Sequence, residues 1–474
     1  MSKHINRRQF LQSAGIGGTA AMAFGCAGAS KAAKYSRADI AEGPLVREVM
    51  VRIDAGRNDN ISPVLRDEIF ENRKAVFIIE TTVRARKDAK GSFDSAGPQI
   101  EEAGYTVASA LFRKGADRGG KTTLNPNWTS IPQGLRYPTI GITTAPQFVA
   151  GFAEGLRELG NTNFVVTERS AGADFLREAG HLDILSEHDI PFIDGRYRHY
   201  RMYEKDELNW FDIREGVVWN RVPVFRPHFD KDSLTVNMPT MKAHNLGLTT
   251  LAIKNMQGYV PTGYGHYCDQ WHQMYTVRPE MHSSINEDFW QNIEREFLKH
   301  RDEGYKYYDF EGGYAEYQKR GGWNEFRKVR RDRRKADEFM KGVKNLMWDE
   351  QWAQRTVDTL SALSPTINVV EGVISRDGNA FENGTDYLTN YVIVSRDLVA
   401  VDAVTSYLMG HDPRELHYLR IANERGYGPV DPDLIPIYRI TGDTVERIRD
   451  IRTLNRYRIG VDLHRTPKEP LKFY

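Results

Sequence analysis

Short apolar runs rich in β-branched residues alternate with an amphipathic segment in the first half of the chain. Residues 75–82 (AVFIIETT) have the pattern of a buried strand, and residues 163–167 (NFVVT) predict a second one. Between them, residues 147–160 (QFVAGFAEGLRELG) carry apolar positions at helical spacing and end on a glycine typical of a helix C-terminus. Strand, helix and strand at this spacing indicate a βαβ unit with a parallel sheet.

Further apolar runs of the strand and helix types occur after residue 217, on both sides of a segment of different composition. Between about residues 278 and 351 the sequence turns charged and aromatic with helical spacing, which predicts a helical insertion whose basic run is typical of a solvated helix face. We therefore predict an α/β fold with a mostly parallel or mixed sheet flanked by helices, plus this charged insertion. Further strands are predicted at residues 217–225, 233–237, 366–371 and 391–395, and a helix is predicted at residues 399–409.

The start of the sequence has the pattern of a targeting segment. The residues RRQFL at 7–11 and the Gly/Ala-rich run at 14–28 predict a twin-arginine export signal over residues 1–30 rather than a disordered basic tail. Small residues before Cys26 suggest lipoprotein processing, and lipidation and simple cleavage nearby both remain open. We expect residues 31–474 to form a single catalytic domain in the periplasm or cell envelope, with membrane contact only through a lipid on Cys26.

Composition narrows the classes of partner. The formal net charge of +1 gives no indication of a nucleic-acid or membrane-surface partner. The sequence has 2 cysteines, and processing near Cys26 leaves Cys268. An intrachain disulfide and a cysteine-ligated iron–sulfur cluster are then excluded.

The densest set of chemically active residues lies at residues 237–266 (NMPTMKAHNLGLTTLAIKNMQGYVPTGYGH). Lys242 and His244 are two apart, so on a strand they point to the same face. Lys254 and Asn255 end an apolar, helical piece. Basic groups among apolar residues are costly unless something anionic or metallic meets them, so this segment predicts an active site.

A glycine-rich loop closes the same segment and extends its polar residues. It carries Tyr264, His266, Cys268 and His272. His266, Cys268 and His272 offer the ligands of a histidine–cysteine metal site, but their spacing matches no standard zinc pattern.

Two further places offer polar groups near predicted strand ends. The run KTTLNPN, with Lys121 and Asn127 at its ends, is predicted to be a turn around a proline. Glu168 and Arg169 follow a predicted strand, where ligands of parallel sheets are usually bound. Glu168 is a candidate metal ligand or lysine partner, and Arg169 can hold a carboxylate through its planar fork.

Helix boundaries supply the remaining candidates. Thr143 or Thr144 is predicted to cap the helix that starts near residue 147, although a helix N-terminus at a sheet edge also suits an anion. Asp397 is placed to cap the helix at residues 399–409. Asp402, one turn in among apolar residues, needs a lysine or a metal as its partner.

Taken together, these blocks resemble the family known as domain of unknown function 362. Two departures stand out, because Leu124 and Thr240 occupy positions where that pattern has lysines. The resemblance also implies relatives with ferredoxin-like iron–sulfur segments, which this chain has too few cysteines to form. The matching blocks, in order, are LNPN at 124–127, TTAP at 143–146, NMPTMKAH at 237–244, KNMQG at 254–258, His266, and DLVAVDAV at 397–404.

These observations predict an exported lyase or dehydratase that acts on a uronic-acid oligosaccharide. Such an enzyme neutralises the carboxylate, removes the proton next to it and protonates the departing oxygen. An oxidoreductase with a bound cofactor and a non-catalytic binding protein for an anionic glycan are the alternatives. The cofactor is undetermined, with a divalent metal as a candidate. The predicted base is Lys242 or His244, the acid His266 or Tyr264, the substrate-binding residues Lys254, Asn255, Arg169, Asn127 and Lys121, and the candidate metal ligands Glu168, Asp402 and His272.

Overall fold

The computed structural model describes most of the predicted domain. In the described part of the chain, strands form an eleven-stranded sheet and a separate two-stranded hairpin, with helices around them. The predicted α/β fold with a mixed sheet is therefore confirmed. The described residues are 64–87, 93–115, 120–129, 141–169, 171–195, 207–213, 216, 219, 221–230, 232–244, 247–260, 325, 328, 335, 346–378 and 384–460.

The strands and helices alternate through the first half of the chain. In chain order the strands are β1 (Val76–Glu80), β2 (Thr122–Pro126), β3 (Phe164–Glu168), β4 (Phe192–Asp194), β5 (Leu208–Asp212), β6 (Arg221–Phe225), β7 (Leu234–Met238), β8 (Thr240–His244), β9 (Leu248–Thr250), β10 (Ile367–Arg376), β11 (Asp386–Ser395), β12 (Ile437–Thr441) and β13 (Thr444–Ile448). The helices are α1 (Asp67–Glu71), α2 (Gly97–Leu111), α3 (Pro146–Glu158), α4 (Ala173–Glu178), α5 (His181–Glu187), α6 (Ala252–Asn255), α7 (Leu346–Asp358), α8 (Leu398–Leu408) and α9 (His417–Glu424).

The sheet joins a parallel half to a mainly antiparallel half. Its order is β13-β12-β1-β11-β10-β7-β2-β3-β4, and β8 pairs with β10 and β9. Neighbours from β10 through β7, β2 and β3 to β4 are parallel. β11, in contrast, pairs antiparallel with both β1 and β10.

Helices cover both faces of this sheet, as β1 demonstrates. Val76 and Ile78 join the core that contains α7, α8 and α9. Phe77 and Ile79 join the core that contains α2 and α3. Because alternate strand residues point to opposite faces, β1 is buried on both sides, as parallel and mixed α/β sheets require.

Helices α2 and α3 approach closely because glycines lie at their contact. A Cβ atom added at Gly151 would overlap the main-chain carbonyl of Glu101. One added at Gly104 would overlap the carbonyl of Phe148. The absence of side chains at these two positions lets the two backbones touch.

The order of strands reverses at β2. From β2 the chain passes through α3 to β3, and then through α4 and α5 to β4. After the β5–β6 hairpin it returns as β7 on the opposite side of β2. In open α/β sheets ligands bind outside the carboxyl ends of the strands at such a reversal, so the edge between β2 and β7 is the expected ligand position.

Several predicted elements are confirmed with small changes of boundary. The strand at residues 75–82 is β1, the helix at 147–160 is α3, and the strand at 163–167 is β3. Gly160 has a φ of 92°, the left-handed conformation that favours glycine after a helix. The strand predicted at 366–371 is the first half of the ten-residue β10, and the strand predicted at 391–395 is the second half of the ten-residue β11.

The predicted turn at residues 121–127 is wrong, because these residues contain β2. β2 lies between β7 and β3, and it is the parallel partner of β3 that the predicted βαβ unit requires. Its polar side chains are satisfied inside the protein: Asn161 Nδ2 donates to Thr122 Oγ1 at 2.7 Å, and Thr123 Oγ1 lies 2.9 Å from His228 Nδ1. Pro126 is the last residue of the strand, where a missing N–H disturbs the ladder least.

Some predictions fall largely outside the described residues. Residues 325, 328 and 335 of the predicted insertion at about 278–351 are helical, and α7 begins inside its predicted end. The remainder of that insertion and the predicted signal at 1–30 lie outside the described residues. No described helix is long and apolar enough to cross a membrane.

Candidate functional site

Three segments of the chain that carry predicted site residues meet at the carboxyl edge of the parallel strands. Asn127 directly follows β2, Arg169 directly follows β3, and β8 follows β7 after a single residue. The Asn127 backbone N–H donates to the Met238 carbonyl at 3.1 Å, which joins the ends of β2 and β7. The site is therefore built at the strand reversal.

Lys242 lies at the centre of this edge. Met241 and Ala243 pack into the core with α8, so Lys242 and its β8 neighbour His244 share the other face, as predicted. Lys242 Nζ donates to Asn127 Oδ1 at 2.7 Å and to the Ile142 carbonyl. Lys242 is only 2% exposed, so hydrogen bonds inside the protein hold its nitrogen in place.

The surroundings of Lys242 favour its neutral form. Burial holds the pKa of Lys242 well below its usual value, and the charges of Lys254 and Arg376 lower the pKa further. Three basic side chains thus gather at one edge of the sheet. A lysine with a lowered pKa is a competent general base near neutral pH.

Lys254 and Asn255 are carried by α6, a four-residue helix fixed by a buried acid. Asp402 Oδ1 accepts from the backbone N–H of Ala252 at 2.7 Å, and Oδ2 accepts from that of Ile253 at 3.1 Å. Oδ2 also accepts from the Tyr418 hydroxyl at 3.2 Å. Asp402 was predicted to need a lysine or metal; its observed partners are main-chain donors and a tyrosine, so it positions the helix that carries Lys254 and Asn255.

The side chains of Asn127 and Asn255 are hydrogen-bonded to each other. Asn127 Nδ2 donates to Asn255 Oδ1 at 3.0 Å, and Asn255 Nδ2 donates to Asn237 Oδ1 at 2.8 Å. Asn255 Nδ2 also donates to the Asn125 carbonyl at 3.1 Å. Because both N–H bonds of Asn255 have acceptors, its side chain supports Asn127 and Lys242 more directly than it contacts a substrate.

Glu371 is a buried acid beside the start of α3, where it contacts the N-cap residue Ala145. Its Oε2 accepts from the backbone N–H of Ala145 at 3.4 Å, and its Oε1 accepts from Val373 at 2.9 Å and Ile374 at 3.3 Å. Burial raises the pKa of Glu371 to about 7, against these three donors. The contact between Glu371 and Ala145 was not predicted, because these two residues lie 226 positions apart in the sequence.

Thr144 does not cap α3. Its hydroxyl donates to the Met238 carbonyl at 2.7 Å and accepts from the Asn127 backbone N–H at 3.0 Å. The N-cap residue of α3 is Ala145, which has no side-chain cap. The predicted capping role of Thr143 or Thr144 is therefore wrong, whereas Asp397 caps α8 as predicted, accepting from Val399 and Ala400.

Arg376 is a site residue that sequence reasoning missed. It lies opposite Lys242 in the β10–β8 register, and its Nη1 donates to Asp386 Oδ1 at 2.8 Å. Asp386 Oδ1 also accepts from the Gly141 backbone N–H at 3.1 Å. Arg376 follows the predicted strand at 366–371 by five residues, and only the full length of β10 brings it to the site.

Of the other predicted site residues, Glu168 and Arg169 lie at this edge of the sheet, and Lys121 lies at the opposite end of β2. Glu168 Oε2 accepts from the Ala171 backbone N–H at 2.9 Å, and both Glu168 and Arg169 are buried at the end of β3. Lys121 precedes β2, so the length of the strand separates it from Asn127 by about 20 Å at roughly 3.3 Å per residue. The structure therefore does not bring Lys121 to this edge.

The predicted loop residues Tyr264, His266 and His272 lie outside the described residues, as does Cys268. Among the residues that the structure does describe, no three or more His, Cys, Asp or Glu side chains are grouped to hold a metal ion.

The fold and the site define an open α/β protein with three basic side chains, Lys242, Lys254 and Arg376, near the carboxyl edge of its sheet. A family model described as domain of unknown function (DUF362) matches residues 123–407. The chain belongs to this family. The matched span runs from β2 into α8 and contains the cationic residues and asparagines described above. No curated protein and no solved structure matches the chain.

Proposed function

We propose that the protein is a carbon–oxygen lyase or dehydratase that acts on an acidic sugar, with a uronic-acid oligosaccharide as its substrate. The observation that carries the proposal is the group of Lys242, Lys254 and Arg376 at the strand reversal. Like charges gathered in a buried site repel one another, and an anionic group of the substrate offsets that repulsion.

Substrate recognition falls to Lys254 and Arg376. Lys254 is 9% exposed and Arg376 is 8% exposed, so a carboxylate that reaches them leaves most of its water behind. Arg376 is held by Asp386, which keeps its guanidinium in place before the substrate arrives. A carboxylate bound by two cations makes the hydrogen on its neighbouring carbon more acidic, because the cations stabilise the carbanion-like transition state.

Lys242 is the base in this proposal. Its neutral amine retains two N–H bonds, which can remain on Asn127 Oδ1 and the Ile142 carbonyl, while the nitrogen lone pair takes the proton. The proton on the carbon next to the carboxylate moves to Nζ, and its bonding pair forms the carbon–carbon double bond. The carbon–oxygen bond at the next carbon breaks, and the departing oxygen takes a proton.

The general acid is assigned within the same proposal to Tyr264 or His266, which follow α6 in the chain. His244 shares the outward face of β8 with Lys242 and is the alternative base. Asn127 and Asn255 orient Lys242, and Arg169 at the end of β3 remains a candidate ligand for a second part of the substrate.

A panel of uronic-acid oligosaccharides tests the proposal. We expect a new ultraviolet absorbance from the unsaturated uronate and a product mass that shows elimination rather than the addition of water. Lys242→Met should lower kcat by at least about a hundredfold, the usual contribution of general base catalysis. Lys121→Met, the same change at the opposite end of β2, is the matched control and should retain activity.

Two results decide against the lyase. Tight binding of the oligosaccharides without product would instead indicate a glycan-binding protein. Neither binding nor absorbance from any member of the panel would overturn the proposal for this substrate class.

The export signal predicted at residues 1–30 belongs to the same proposal, since polymeric uronates are met outside the cytoplasm.

A further inference from the structure

Four asparagine side chains connect Lys242 to the interior of the sheet. Lys242 Nζ donates to Asn127 Oδ1 at 2.7 Å, and Asn127 Nδ2 donates to Asn255 Oδ1 at 3.0 Å. Asn255 Nδ2 donates to Asn237 Oδ1 at 2.8 Å, and Asn237 Nδ2 donates to Asn368 Oδ1 at 2.9 Å. These four asparagines, here called the carboxamide relay, form one continuous chain of donors and acceptors.

The direction of the carboxamide relay is fixed by the main chain. A carbonyl oxygen only accepts hydrogen bonds, so the side-chain atom that faces it must be the NH₂ group of the asparagine. Three members of the relay face such a carbonyl, and each is thereby turned the same way. The contacts are Asn368 Nδ2 to Ser395 O at 3.1 Å, Asn237 Nδ2 to Ala252 O at 3.0 Å and Asn255 Nδ2 to Asn125 O at 3.1 Å.

This direction determines what Lys242 meets. The main-chain carbonyls fix the orientation of the first three side-chain amides. The Oδ1 atom of Asn255 therefore faces Asn127, which donates its NH₂ group to that oxygen and presents its own oxygen to Lys242. The side-chain dipoles then align with their negative ends toward Nζ, and hydrogen bonds in such a chain strengthen one another at low dielectric. The relay therefore favours an N–H donor, and most of all an ammonium, at the position of Lys242.

We propose that Asn237 and Asn368 are positioning residues for Lys242, which act through Asn255 and Asn127 to hold the lysine nitrogen in place and to stabilise its protonated form. Both lie in the sheet, where they are paired in the β7–β10 register and fully buried. Their use in catalysis rests on the lyase proposed above, because a base that accepts a proton gains from a partner that stabilises the charge.

The relay opposes the other influences on Lys242. Burial and the charges of Lys254 and Arg376 lower its pKa, whereas an aligned acceptor raises it. Breaking the relay should thus lower the pKa of Lys242 further, toward the fully desolvated value. A role confined to packing would change stability and leave the titration of Lys242 where it is.

The experiment follows the Lys242 side chain without any substrate. The protein is labelled with [¹³Cε]lysine, the Lys242 signal is assigned by its loss in Lys242→Met, and its chemical shift is followed with pH. In Asn237→Leu we expect the titration midpoint to fall by about half to one pH unit, the equivalent of one ordinary net hydrogen bond. Asn368→Leu, one step further away, should shift it in the same direction by less.

Asn161→Leu is the matched control. Asn161 is a buried asparagine, 3% exposed, whose Nδ2 donates to Thr122 Oγ1 at the opposite end of β2. The substitution removes a buried side-chain hydrogen bond of the same kind outside the relay, so it should destabilise the protein and leave the Lys242 midpoint unchanged.

An unchanged midpoint in both relay variants, or an equal shift in Asn161→Leu, would overturn the proposal. If Asn237→Leu does not fold, Asn368→Leu at the end of the relay carries the test alone. A shifted midpoint in a protein that shows no elimination would leave the relay standing and remove the lyase. Elimination by the wild type, with no shift in the relay variants, would leave the lyase standing and remove the relay.

Discussion

Replacement of Glu371 by glutamine is a direct test of how burial and hydrogen bonding compete beside the site. The carboxyl group is 1% exposed and accepts from the backbone N–H groups of Ala145, Val373 and Ile374. Its pKa is raised from 4.5 to about 7, with burial as the largest cause. Desolvation therefore outweighs three donors and the N-terminus of α3 in determining the charge of this group.

The sign of the pH dependence follows from that raised pKa. Between pH 4.5 and about 7 the folded protein keeps a proton on Glu371 that the unfolded chain has released. The stability that this group contributes is complete below pH 4.5 and is lost as the pH rises toward 7. A rise from 4.5 to about 7 corresponds to about 3 kcal/mol, at about 1.4 kcal/mol per pH unit.

Glu371→Gln separates this titration from the rest of the protein, since glutamine has nearly the same shape and no charge. At pH 4.5 we expect the variant to be less stable than the wild type by about 1–3 kcal/mol, because an NH₂ group then faces one of the three N–H donors. As the pH rises to 8, the difference should move by about 3 kcal/mol in favour of glutamine, since the wild type alone must charge a buried group.

Urea unfolding of both proteins at pH 4.5, 5.5, 6.5 and 8 measures the difference. A difference in the free energy of unfolding that stays constant over this range would refute the reasoning. If the donors and the helix N-terminus outweigh burial and hold the pKa of Glu371 below its usual value, the carboxyl group is ionised in both states above about pH 5.5, and the difference levels off there.

Three further predictions concern the support of the site, the helix contact and the signal. Asp402→Ala removes the acceptor of two buried backbone N–H groups and a hydroxyl at α6, so it should lower the free energy of unfolding by about 3–5 kcal/mol, measured in urea. Gly151→Ala puts a methyl group into the Glu101 carbonyl, so it should lower the melting temperature by the equivalent of at least about 2 kcal/mol; no change would show that α2 and α3 part easily. Changing both Arg7 and Arg8 to lysine should retain the protein in the cytoplasm, as seen by cell fractionation, and unchanged export would contradict the twin-arginine prediction.

The strongest sequence signals were local ones. The helical spacing at residues 147–160 identified α3, and the two-residue spacing of Lys242 and His244 identified their common face on β8. Asp397 caps α8 as predicted, because an N-cap depends on the two or three residues that follow it. In each case the residues that decide the structure are neighbours in the sequence.

The errors arose where a distant partner decides the structure. The sequence of β2 is typical of a turn, since Asn125 and Pro126 disfavour strands. Hydrogen bonds with His228 and Asn161 nevertheless satisfy the threonines that start the strand. Arg376 could not be placed at the site before the length of β10 was known. The acceptor at the start of α3 comes from β10, and local capping rules have no access to such a contact.

The placement of the buried acids explains why the site retains a positive character. Glu371 and Asp402 lie beside the elements that carry the site, and each directs its oxygens at main-chain N–H groups. Acids held in this way stabilise the starts of α3 and α6 while burial keeps their pKa values high, at about 7 and about 8. Near neutral pH they therefore contribute less negative charge than two exposed carboxylates would, so they offset the positive charge at this edge of the sheet less strongly. Raising the pH above 8 should ionise both acids, and the affinity of the site for a carboxylate should fall for a reason that is independent of the titration of Lys242.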